Sequence, residues 1–62
     1  MGELAHLLGE KLHDAIDEIE AYAVMNHHWL RVVEGDRDLD RQKLNVCVGD
    51  DGTIKKFVFF ID

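Results

Sequence analysis

Near the N-terminus, four side chains fall at a spacing that could hold a metal ion. His6, Glu10, His13 and Asp17 stand at i, i+4, i+7 and i+11, so on a helix each faces its neighbours in the series. Imidazole nitrogens and carboxylate oxygens in that pattern suit a divalent cation, with a second helix completing the ligand set. The plainer reading is a solvated helix face, because no catalytic motif adjoins the four residues. They therefore stand as candidates only, and no metal or cofactor is assigned. His27 and His28 form a second pair, readable either as a titrating or ligand pair or as rings half-buried between Met25 and Trp29.

Other chemistry is sparse. Cys47 is the single cysteine, so no intrachain disulfide can form, and within a strand a thiol serves as inert packing. There is no Ser/His/Asp set, no glycine-rich phosphate loop and no paired acids with a reason to be desolvated. The sequence thus predicts a protein that is not an enzyme.

The charge is uneven. Residues 1 to 34 carry seven acids and two bases, whereas residues 35 to 62 carry six acids and five bases, within a net charge of −6. An acidic helix face led by Glu10, Asp14, Asp17, Glu18 and Glu20 argues against direct nucleic-acid binding, which depends on neutralising phosphates. The same face leaves open the imitation of a nucleic acid. Lys43, Lys55, Lys56, Arg37 and Arg41 are read as guards of an apolar strand rather than as a nucleic-acid contact.

These side chains need elements to hold them. Ala5, Leu8, Leu12, Ala15, Ile19, Tyr22, Asn26, Trp29 and Val33 recur at alternating spacings of three and four, which predicts one long helix over about 3–33. Ala21, Val24, Met25 and Val32 lie off that seam, implying burial of the C-terminal half on more than one side. A break near Asn26 is the alternative, with Asn26 bonding to backbone beneath a helix end. Gly35 suits a helix C-cap, and the charged stretch 34–42 reads as a solvated connection. Gly49-Asp50-Asp51-Gly52 is a hairpin turn signal joining strands within 43–61. Register is open: a three-residue loop places Ile54, Val58 and Phe60 beside Leu44, Val46 and Val48, and a four-residue loop places Phe57, Phe59 and Ile61 there.

The C-terminal strand, Lys55 to Ile61, is apolar on both faces. One helix covers one face, and burying a Phe or Ile stabilises by roughly 1.5–3 kcal/mol, so a second cover is expected. The reading is a single α+β domain, 1–62, made of one long N-terminal helix and a C-terminal antiparallel hairpin (α-β-β) completed by homodimerisation. Tyr22, Asn26, Trp29, Phe57, Phe59, Phe60 and Ile61 are the expected interface. No apolar run approaches the ~20 residues of a membrane span and no signal-peptide pattern begins the sequence, so the expected compartment is cytoplasm. The expected function is a small acidic protein-binding or regulatory factor acting as a homodimer. The alternatives are a nucleic-acid-mimicking inhibitor of a DNA- or RNA-binding protein, and a metal-dependent assembly through the helix histidines.

Overall fold

The computed structural model describes residues 2–60. Its elements run in the order 3-10 helix Gly2–Leu7, helix α1 Leu12–Met25, then strands β1 Trp29–Glu34, β2 Lys43–Val48 and β3 Ile54–Val58. The strands form one sheet in the order β1-β2-β3, with β1 parallel to β2 and β2 antiparallel to β3. The architecture is α+β, helix first and strands after, with three strands instead of a two-stranded hairpin. Among the described residues, no helix is long and apolar enough to cross a membrane.

The helix expected over 3–33 is thus three elements, and tertiary hydrogen bonds explain the first interruption. Gly9 takes a positive φ of 89°. Its N–H donates to the Ile54 carbonyl, Ile54 N–H donates to the Glu10 carbonyl, and Leu12 N–H donates to the Gly52 carbonyl. Backbone groups a helix would have used internally are spent instead on β3 and its turn, where Lys11 forms an isolated bridge to Thr53.

From Leu12 the sequence Leu-His-Asp-Ala-Ile-Asp-Glu-Ile-Glu-Ala-Tyr-Ala-Val-Met holds no glycine or proline, and half of its residues, the Leu, Ala, Glu and Met, are strong helix formers. Ala15, Ile19 and Ala23 recur at i, i+4 and i+8 and are buried, forming the stripe that lies on the sheet. On the 3-10 helix the buried residues are Leu4 and Leu7, not the seam positions Ala5 and Leu8.

The helix ends where the alternative reading placed a break. His27 adopts φ 59°, its N–H donates to the Val24 carbonyl, and His28 N–H donates to the Ala23 carbonyl. This pair of bonds defines a Schellman termination, normally built on glycine. A non-glycine residue there is strained, so His27→Gly is expected to raise stability by about 0.5–1 kcal/mol after glycine's entropic cost, measured as the shift in urea midpoint. His27→Val is expected to lower the midpoint. Gly35, expected as a helix C-cap, instead follows β1 at φ 66° and donates its N–H to the Val48 carbonyl.

Beyond this turn the β-branched and aromatic content of Trp-Leu-Arg-Val-Val-Glu settles into a strand. Parallel neighbours usually need a crossover of a dozen or more residues, yet only Gly35–Gln42 joins β1 to β2. Eight nearly extended residues can reach about 26 Å, enough to return along a six-residue strand of about 20 Å.

Each face of the sheet has its own cover. Leu44, Val46, Val48 and Ile54 pack with Leu4, Leu7 and the α1 stripe, and Phe57 and Phe59 lean against this core. On the opposite face Val33, Asn45 and Cys47 are also buried. There the crossover is tied down: Arg31 Nε donates to the Asp38 carbonyl, Lys56 pairs with Asp36, and the Arg41 guanidinium sits 4.8 Å from the Phe60 ring centre. Asn45 is the main anchor. Its amide donates to the carbonyls of Asp40, Lys43 and Val58, and its Oδ1 accepts the Asp40 N–H. The stretch read as a solvated connection is therefore part of the second cover, which this chain supplies itself.

The register question resolves through a bulge. Ile54 pairs with Val48 and Phe57 with Val46, with a shift between Cys47 and Val48. One extra residue lets side chains of opposite parity reach the same face, so Ile54 and Phe57 both serve the core. The turn is held by Gly49 N–H to the Thr53 carbonyl, with Gly52 at φ 81°.

Candidate binding surface

Among the described residues, the corner where α1 turns into β1 presents the most exposed large apolar side chains. Trp29 is 76% exposed, Met25 79% and Val24 73%, and Val32 further along β1 is 45% exposed. Val24, His28 and Trp29 contribute to two open concavities of about 270 and 340 Å3. Small-molecule sites bury most of their ligand, whereas these depressions are open to solvent. Met25 and Trp29 are also residue types enriched at protein interfaces.

The expected interface residues divide between this corner and the core. Trp29 belongs to the corner. Tyr22 is half-buried against the core, and Asn26 donates from its side chain to the Tyr22 carbonyl, as the helix-end reading anticipated. Phe57 and Phe59 pack on the core, with the Phe59 ring 4.1 Å from that of His28. Phe60 lies under Arg41 on the opposite face. Ile61 falls outside the described residues. Val24 and Met25, expected to be buried on a second side, are instead exposed. Their signal was present in the sequence, since they lie off the Ala15/Ile19/Ala23 stripe at the last turn of the helix.

The metal candidates do not converge. His6 sits on the 3-10 helix and bonds to Glu18, His13 approaches Asp14 at 3.3 Å, and Glu10 precedes α1. Among the described residues, no group of three or more His, Cys, Asp or Glu is arranged to hold a metal ion. Of the acidic face, Glu10, Asp14, Asp17, Glu18 and Glu20 are all exposed, with Glu18 engaged by His6.

Cys47 and Asp51 have altered acidity. Burial pushes the Cys47 thiol above its ordinary value against the opposing pull of Lys56, which leaves little thiolate for reaction. Hydrogen bonds from the Thr53 backbone and hydroxyl, with Lys11 beside them, hold Asp51 down at about 2. The Thr53 N–H lies 3.0 Å from Asp51 Oδ1, so this carboxylate is a turn constraint.

Compared with known proteins, the chain matches no family model, no curated protein and no solved structure.

Proposed function

We propose that this protein is a non-catalytic protein-binding or regulatory factor that works as a homodimer, with the corner of Val24, Met25 and Trp29 as its contact surface. The observation that carries the reading is the high exposure of these three large apolar side chains within six residues of chain, two of which, Val24 and Trp29, line the same open concavities. Single exposed apolar residues are ordinary, but Val24 and Trp29 meet at one surface, and Trp and Met are residue types enriched at interaction sites.

Light scattering on a size column, across a dilution series, tests it. The native chain is expected to give the mass of two protomers. Trp29→Glu is expected to give one protomer, with an unfolding free energy within about 0.5 kcal/mol of the native chain when both are diluted to monomer, as for exposed positions generally. A native chain that stays monomeric at every concentration would overturn the homodimer. A dimer unaffected by Trp29→Glu would remove the corner from the contact.

A further inference from the structure

The two edges of the sheet are treated differently. The β3 edge begins under residues 9–11, where Gly9 and Glu10 exchange backbone hydrogen bonds with Ile54. It continues with exposed Lys55 and Lys56, and lies beside the bulge at Cys47 and Val48. Covering, lysines and bulges are the devices that keep an edge from pairing. The β1 edge has none of them: it is the outer strand of the sheet, six residues long without lysine, proline or bulge. Its one internal charge, Arg31, is drawn to the Asp38 carbonyl of its own crossover.

Resting on the homodimer reading, we infer that a second copy of this chain adds to the β1 edge, antiparallel about a two-fold axis, to make one continuous six-stranded sheet. Symmetry limits the register. Directly opposed residues in an antiparallel pair share a face, and a two-fold axis through the sheet preserves faces, so the axis must pass through a residue rather than between two. Centred on Arg31, the pairing sets Leu30 against Val32 of the other copy, Trp29 against Val33, and Glu34 against His28. Centred on Val32, it would set Leu30 against a carboxylate, Glu34, and Trp29 against the turn residue Gly35. Apolar matching therefore selects Arg31. The opposed guanidinium groups are the repulsive element of that register, and each is anchored 3.1 Å from its own Asp38 carbonyl. The occupant is a second copy because the edge is complementary to itself: the exposed Val32 meets Leu30 of the other copy on both sides of the axis, and the exposed Trp29 lies across from Val33, which is already buried within its own chain. Both α1 helices then lie on the same face of the joined sheet.

Two measurements on the full chain decide it. In the native chain, hydrogen exchange by NMR reads β1 residue by residue. Paired on one side only, the strand protects alternate amides; paired on both sides, it protects consecutive amides from Leu30 to Glu34. Separately, Arg31→Cys places a thiol on the axis, where facing Cα atoms are about 4.5–5.5 Å apart and disulfide geometry is met. Mild oxidation is expected to shift this variant to a covalent dimer on a non-reducing gel, while Lys55→Cys and the native chain, whose Cys47 is buried, stay uncrosslinked. Consecutive protection with the Arg31→Cys crosslink supports the inference. A dimer by light scattering with alternate protection and no crosslink overturns the β1 edge and leaves the homodimer standing on another surface. A monomer with alternate protection overturns both, and leaves the edge open to a strand of a different protein.

Discussion

Asn45→Ala is expected to remove about 3 kcal/mol of folding stability, observed as a fall in urea midpoint with little change in slope. The side chain is fully buried and takes part in four hydrogen bonds that join β2 to the crossover and to the end of β3. Truncation leaves the Asp40 N–H and the carbonyls of Lys43 and Val58 without this partner, while the Asp40 carbonyl keeps the Lys43 N–H. Each orphaned buried group costs about 1–3 kcal/mol, although those near the crossover recover part of that from water. A chain of 62 residues at roughly 0.05–0.15 kcal/mol per residue has only about 3–9 kcal/mol to lose. Asn45→Leu is not expected to restore stability, because shape is kept while the partners stay unpaired. Loosening the crossover should also uncover Cys47, so its rate of reaction with a thiol reagent below the unfolding transition should rise. A midpoint and thiol rate equal to those of the native chain would show that the network does not hold the crossover in place.

How much of this was legible in the sequence follows from where local and tertiary forces agree. The strand Lys43–Val48, the turn after it and a partner strand beyond could be read because alternation and glycine placement point the same way, although the strand expected over 55–61 runs Ile54–Val58. The helix could be read only in its centre. From Ala5 to Leu8 and from Trp29 to Val33, apolar residues fall in phase with a helical seam, yet the backbone goes elsewhere. At the first place, the bonds between residues 9–12 and 52–54 win; at the second, the left-handed turn at His27 and the strand preference of Val32-Val33 win. Neither outcome is local. The parallel pairing of β1 was hidden for the same reason, since a crossover of eight residues carries no helix to announce it. Asn45 and Cys47 alternate with Leu44, Val46 and Val48, which reads as a core face and a second face. That the chain's own charged segment closes that second face depends on Asp36, Asp38 and Asp40 finding Lys56, Arg31 and Asn45 in space. The candidate surface was half visible: Trp29 stood out by type, whereas Val24 and Met25 were masked by the assumption that the helix continued.

Ile19→Ala is expected to cost about 3 kcal/mol, within the roughly 2–5 kcal/mol range for deleting a buried Ile, and to bring a chain this small close to its unfolding threshold. Ile19 is fully buried at the middle of the α1 stripe, between helix and sheet, where rigid strands below cannot collapse into the space left behind. Trp29 supplies the contrast, because it is much larger yet 76% exposed. If size alone set the effect, a Trp29 variant would be the more damaging of the two. Burial reverses the order: at dilutions where the chains are monomeric, so that dissociation adds nothing to the comparison, thermal or urea unfolding should place Ile19→Ala well below the native chain and Trp29→Glu beside it. Self-association should show the opposite ranking when Ile19→Ala is studied at a temperature where it remains folded, with Trp29→Glu monomeric and Ile19→Ala dimeric. Such a crossed result separates the residues that make the fold from those that use it. Parallel loss of stability and mass in both variants would mean that Trp29 is covered in solution by its own chain, and that the corner is core rather than contact.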